Sequence, residues 1–499
     1  MKVDITLMTQ LERLTKQGDS QKVLEIIDSL VLKKIPRKSA ADLAQICFRN
    51  SLHLQSIRIL NPIVCSPVRI SPPQQAHEII AYASALVSLN MNREAQNLLK
   101  KIDTELNPEA LLIRSFSYFG EWNYEKTIPL LKKFCTNPRV SSYRQIVGKV
   151  NLAAAYTTTS RQKEAEDLLI DLLRTTKEKN FRLLQGNTLE LFAQLEIQKK
   201  NYKKALDYLK EARTVLPDSH SIYFFFVKKW ECICHMLLAP ESLDSIQTCE
   251  KIKSEALARG HWETARDIDL YISFATNNAD LLQKILQGTP NPLYLKKVEM
   301  LFEKKISLSQ KFRLKADVSA QATELSVDFE QATSKIKNNK YQIKLFYLLT
   351  RDFYRPANFG YLFSKLYPHE NFNPLTSEKR ILNQVYALSK SLNAEKRICE
   401  IHKKKMDFIF KLAPDVELIL SRYPHIKPWN SNLKNQMRVF GSKIFTATDL
   451  AQLLNCSKRK AQALLKDLLS QNYIKRTNKG PLTAYILSNY ISFSCHSAI

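Results

Sequence analysis

Asn201-Tyr-Lys-Lys-Ala-Leu-Asp-Tyr-Leu209 decides the fold, because its pattern returns along the first three hundred residues. A short polar or aromatic turn leads to a charged residue, a small residue and an apolar doublet. The same order occurs in Met91-Asn-Arg-Glu-Ala-Gln-Asn-Leu-Leu-Lys100, Trp122-Asn-Tyr-Glu-Lys-Thr-Ile-Pro-Leu-Leu131 and Arg161-Gln-Lys-Glu-Ala-Glu-Asp-Leu-Leu169. Weaker copies are Gly18-Asp-Ser-Gln-Lys-Val-Leu-Glu-Ile-Ile27 and Gly260-His-Trp-Glu-Thr-Ala-Arg-Asp-Ile268. Ala95, Thr127, Ala165, Ala205 and Ala265 share the small position at intervals of 32, 38, 40 and 60, so the last interval has room for a divergent helix or repeat. A small side chain there lets two paired helices approach closely. Before the Asn201 copy, Leu189, Phe192 and Leu195 fall on one helical face, and Pro217 stops the helix after it.

On these phrases the chain resembles the tetratricopeptide repeat, whose second helix opens in this way. The resemblance covers residues 1–308 and implies an α-solenoid of helix pairs with a concave face for a peptide, a protein or a second copy of the chain as a homodimer. Most intervals exceed the family's unit of about 34 residues, which places the array nearer the long-helix variants of bacterial regulators. Within it, Ile222-Tyr-Phe-Phe-Phe-Val227 reads as buried helix. Cys232-x-Cys234-His235 has no second Cys/His pair at finger spacing, so no metal is expected.

The 499 residues suit about three domains. No apolar block opens the sequence and no run approaches 18 apolar residues, so neither a secretory signal nor a membrane span is expected. Nine scattered cysteines suit reduced thiols in the cytoplasm. The net charge of +27 is uneven: residues 301–499 hold 33 Lys+Arg against 15 Asp+Glu, and residues 1–300 hold 42 against 33. An excess of that kind at one end is the footprint of a polyanion binder.

Residues 309–426 leave the repeat. Thr323-Glu-Leu-Ser-Val-Asp-Phe-Glu330 alternates as a half-buried strand does, and Tyr341–Asp352 reads as a helix. Phe359-Gly-Tyr-Leu-Phe-Ser-Lys-Leu-Tyr367, a loop from Pro368 to Pro374, and the helix from Thr376 to Leu392 follow. Met406–Leu412 and Val416–Leu420 flank Ala413-Pro-Asp415 as the arms of a wing hairpin. This order resembles the winged-helix effector domain of bacterial response regulators, which implies that Lys379, Arg380 and Asn383 face DNA. The basic Lys403-Lys404-Lys405 between helix and wing departs from that family.

Pro424, Pro428 and Trp429 mark a rigid joint before residues 431–499. There Leu450, Leu453 and Leu454 line one helix, Asn455-Cys456-Ser457 breaks it, and Ala461, Leu464, Leu465 and Leu468 line the next. Ser457 is placed to cap that second helix. Lys458, Arg459 and Lys460 occupy its first turn, and Lys475, Arg476 and Lys479 surround Gly480-Pro481 at a hairpin tip. The segment resembles a winged helix-turn-helix, in which Ser457, Lys458, Arg459 and Gln462 would meet base edges and Lys475, Arg476 and Lys479 phosphates.

No Walker loop, His-Glu-x-x-His pair or Gly-x-Ser-x-Gly elbow occurs. Neither an enzyme nor a cofactor is expected. The fold expected is mainly α, a solenoid of helix pairs followed by two small winged-helix (α+β) domains. The function expected is that of a transcriptional regulator that senses a peptide or protein on its repeats and binds duplex DNA through its basic modules. The alternative is a scaffold whose repeats and winged helices both bind proteins.

Overall fold

The computed structural model describes residues 3–17, 19–31, 35–66, 72–216, 221–306, 311–315, 325–328, 331–332, 336, 339–368, 370–414, 416–421, 437–441, 443–470, 474–477 and 483–487. Met1–Leu420 forms one compact unit and Ser421–Ile499 a second. Lys479, Pro217 and the Pro424–Trp429 joint lie outside the described residues.

Helices follow each other in pairs from the start of the first unit. The pairs are Ile5–Lys16 with Ser20–Asp28, Arg37–Arg49 with His53–Val64, Ala76–Ser88 with Asn92–Leu99, and Glu109–Phe119 with Tyr124–Thr136. Ser142–Thr158 with Gln162–Glu178, Arg182–Gln198 with Tyr202–Val215, Ile222–Leu238 with Leu243–Arg259, and Trp262–Ala275 with Ala279–Gln287 continue the series, which Tyr294–Phe302 extends. Ala95, Thr127, Ala165 and Ala205 are each the fourth residue of a second helix and are fully buried. Ser56 holds the same place in His53–Val64, a copy that the phrase did not reveal.

The turn in the phrase is the C-cap of the preceding helix. Ser51, Asn90, Trp122, Ser160 and Lys200 all adopt positive φ two residues before a second helix begins. The next N–H reaches back five residues, as Met91 does to the Leu86 carbonyl and Asn201 to the Glu196 carbonyl. That is the Schellman closure. Asn180 and Gly260 make the same turn before first helices. Gly260–Ile268 therefore opens the first helix of a pair, and the wide interval before Ala265 holds the Ile222–Leu238 and Leu243–Arg259 pair.

First helices of several consecutive pairs also touch one another, so they form the closer-packed, inner layer. Phe224, Phe225, Val227, Cys232 and Cys234 are buried there, while Ile222 is exposed and Tyr223 and Phe226 are half-buried, so the aromatic run is core on one face only.

Among the described residues, three small sheets follow. Strands β1 (Lys311–Lys315) and β2 (Leu325–Asp328) flank β6 (Val416–Ser421), with β2 and β6 parallel. In the second sheet, β3 (Ala357–Asn358), β5 (Asp407–Leu412) and β4 (Cys399–Lys404) lie in that order and are antiparallel. The expected wing is thus corrected. The hairpin joins β4 to β5 through Lys405 and Met406, with Lys405 at φ 55°. Ala413-Pro414 instead leads the chain out to β6, whose partner β2 lies some ninety positions earlier in sequence.

The change of pattern near residue 308 is not a break in packing. Leu7, Leu43, Leu60 and Leu86 share one core with Phe346, Phe359, Phe363, Phe408 and Leu418. In the second unit, β7 (Phe445–Thr446) pairs with β9 (Ala484–Leu487), which pairs with β8 (Ile474–Arg476). Helices Ala447–Leu453 and Lys458–Ser470 lie between them in sequence, over a core of Phe445, Leu450, Ala461, Leu464, Leu465, Leu468 and Ile474. Thr446 opens the shorter helix in a capping box with Asp449.

Candidate functional site

In the second unit, Lys458, Arg459 and Gln462 are exposed within about one turn of each other, while Ala461, Leu464, Leu465 and Leu468 of the same helix are buried. Ser457 is exposed directly before the helix, and its carbonyl accepts the Ala461 N–H at 3.0 Å. Lys460 lies in the same turn of backbone. Lys475 and Arg476 are exposed on the edge strand β8, and Arg476 Nη2 donates to Thr483 Oγ1 at 2.9 Å.

The first unit repeats this arrangement on the helix Ser377–Leu392. Ile381, Val385, Leu388 and Leu392 face the core, which leaves Lys379, Asn383, Tyr386 and Lys390 along the exposed side. Tyr386 is 72% exposed. Its period-3.6 place outside the core could have marked it in the sequence. Lys404 and Lys405 are exposed at the tip of the hairpin, and Lys403 is tied to Glu378 at 2.8 Å. The basic run that departed from the family pattern is therefore the tip itself.

Arg380 does something other than expected. Its guanidinium lies 3.9 Å from the Tyr367 ring centroid and donates both arms to Glu370. The hydrogen bond to Glu370 holds the arginine's pKa above its ordinary value. Arg380 closes the loop ahead of its own helix, so it is engaged within the chain rather than presented with Lys379 and Asn383.

A second polar assembly lies along the inner helix layer and was not foreseen, because its members are scattered over four helices. Trp230 Nε1 donates to Glu190 Oε1 at 2.6 Å, and the Trp230 ring meets Tyr271 edge-on. Asp267 takes Lys229 and Lys297, each at 2.6 Å. Burial pushes the Asp267 carboxyl up, yet the two ammoniums hold it well below the usual carboxylate range. Burial raises Glu190 with less opposition.

The neighbouring residues receive the segment that precedes β3. Arg266, wholly buried, binds Asp352 at 2.7 Å and Glu263 at 3.0 Å. Tyr354 Oη donates to Asp269 Oδ2 at 2.7 Å, while Asp269 also binds Lys253 at 2.8 Å. Burial, and then the Asp269 carboxylate, push the Tyr354 hydroxyl above its ordinary range. Among the described residues, no helix is long and apolar enough to cross a membrane.

No protein-family model matches the chain, and no curated protein matches it. Among solved structures, the Rap conjugation gene regulator of the plasmid pLS20 in complex with the Phr* peptide is similar over 61% of this chain and 90% of that chain. The identity is 12% and the TM-score 0.39, a likeness too slight to bear on function.

Proposed function

We propose that the chain is a non-enzymatic regulator of transcription, cytoplasmic, which binds duplex DNA through two winged helices and senses a peptide or protein on its helix pairs. One observation carries the reading. Both basic modules have the same order: a two-residue strand, a short helix, a longer helix and a hairpin, with the first strand paired to the last. In each, the longer helix turns basic and amide side chains outward, Lys379 and Asn383 in one, Lys458, Arg459 and Gln462 in the other. A helix of this kind fits the major groove, with Arg or Lys suited to guanine and Asn or Gln to adenine. Exposed lysines on the hairpins, Lys404, Lys405 and Lys475, suit the flanking phosphates.

The rival reading is a protein-binding scaffold. Exposed Leu375 and Tyr386, at 83% and 72%, favour it at the first module. Selection of bound duplexes from a random pool by the full chain separates the two. The regulator reading expects enriched sequences, and it expects Arg459→Ala to relax preference at one base position at a cost of roughly 1–3 kcal/mol. No duplex bound at low salt would sink it.

A further inference from the structure

Asp352–Arg355 follow the helix Lys340–Thr350 and meet the helix pairs at Trp262–Ala275, Gly288 and Asn90 before β3. Each of the four residues is held by the array. Asp352 accepts from Arg266, and the Phe353 N–H donates to the Gly288 carbonyl at 3.1 Å. The Phe353 ring packs so closely on Gly288 that a Cβ there would stand 2.3 Å from it. Tyr354 reaches Asp269, and Arg355 Nη2 donates to Asn90 Oδ1 at 2.6 Å. Main-chain and side-chain groups share the seating, which is how an extended peptide is held by a receptor.

The seat presents a buried cation to the segment. Arg266 is fully buried, its Nη atoms serve Glu263 and Asp352, and its Nε has no hydrogen-bond partner among the described residues. A cation enclosed in this way is costly unless a carboxylate meets it, and an apolar seat would hold a mere linker at less cost. Beside the segment opens a cleft of about 420 Å3, lined in part by Asn90, His261, Trp262, Glu263, Arg355 and Pro356. A second chain has room to approach there.

We propose that Arg266, Asp269 and the Gly288 carbonyl form a peptide-binding site that the chain fills with its own Asp352-Phe353-Tyr354-Arg355. The external ligand has the same chemistry: a carboxylate, two aromatic residues and a cation. Exchange of one for the other frees the segment joined to β3 and so regulates the module that β3 completes. That regulatory half rests on the DNA-binding reading above.

The probe is the segment's own sequence, acetyl-Arg-Asp-Phe-Tyr-Arg-Pro-Ala-amide, carrying a fluorophore, titrated with the full chain. A tethered competitor acts at roughly millimolar effective concentration. Asp352→Asn/Tyr354→Phe should therefore bind the probe at least tenfold more tightly than the unaltered chain, and a probe with Asn for Asp should bind tenfold more weakly. Equal affinity for both chains, or binding to neither, overturns the site. Circular dichroism checks that the variant keeps its helices. If it does not, Arg355→Ala, which releases Asn90, takes its place.

On the unaltered chain, excess probe should speed hydrogen exchange at the Phe353 amide, and unchanged exchange overturns the displacement. Duplex affinity is read separately with and without saturating probe, with a change of threefold or more expected. Unchanged affinity overturns the regulation and leaves the site standing. Absence of any duplex binding defeats the DNA reading while the peptide result stands.

Discussion

Glu94 is a carboxylate with one hydrogen bond and a wall of protein around it. Its Oε2 accepts the Phe372 N–H at 2.9 Å, and its Oε1 has no partner among the described residues. Burial pushes its pKa up to about 7, against the pull of that N–H. The folded chain therefore keeps a proton that the unfolded chain releases from about pH 4.5. Stability contributed at Glu94 is full below that value, falls as pH rises through 7, and is level beyond. At about 1.4 kcal/mol per pKa unit, the loss by pH 8 is on the order of 3 kcal/mol. Glu94→Gln keeps an acceptor for Phe372 without the charge. Its melting temperature should match the unaltered chain at pH 5 and exceed it by several degrees at pH 8, as read by calorimetry. Parallel curves across that range would contradict the assignment. Nothing local marks Glu94, because the matching residues of later phrases, Lys126, Glu164 and Lys204, are exposed. Phe372, far along the chain, is what covers it.

Among elements, the helix Phe359–Leu366 is where the middle module meets the helix pairs. Gly360 stands against the Leu89 carbonyl, and a Cβ at 360 would come within 2.3 Å of that oxygen. A carbonyl at a helix end cannot swing aside as a side chain can. Gly360→Ala should therefore cost about 1–3 kcal/mol in denaturant unfolding, as overpacking does. Gly120→Ala is the contrast, since its nearest neighbour is the Asn92 side-chain amide at 3.0 Å, which can shift. Equal losses at both positions would mean that the docking is not tight.

The helices were readable in sequence because each phrase carries its own turn, small residue and apolar doublet. The β elements were not. Lys403-Lys404-Lys405-Met406 contains no Gly, Asn or Pro, yet Lys405 takes the positive φ that closes the hairpin. Ala413-Pro414 has turn residues, but the strands on its two sides belong to different sheets. Pairing of β2 with β6 depends on chain closure over a long separation, which no local window reports.

At the scale of the whole molecule the question is whether both basic modules hold one duplex. Charge alone is silent on this, since an excess of +27 raises nonspecific attraction wherever the lysines lie. Salt dependence is more discriminating, because each neutralised phosphate contributes about 0.9 to the slope of log K against log salt. The exposed phosphate-facing candidates are Lys404 and Lys405 on the first module's hairpin and Lys475 and Arg476 on the second's. Alanine at the first pair should lower the slope by about 1.8, alanine at the second pair by about the same, and all four together by roughly the sum. Titrations of the full chain on one selected duplex between low and physiological salt measure this directly. A slope that responds to only one pair assigns the DNA to that module alone. If the first module is the one left over, its exposed Tyr386 and Leu375 are the contacts it offers a protein partner.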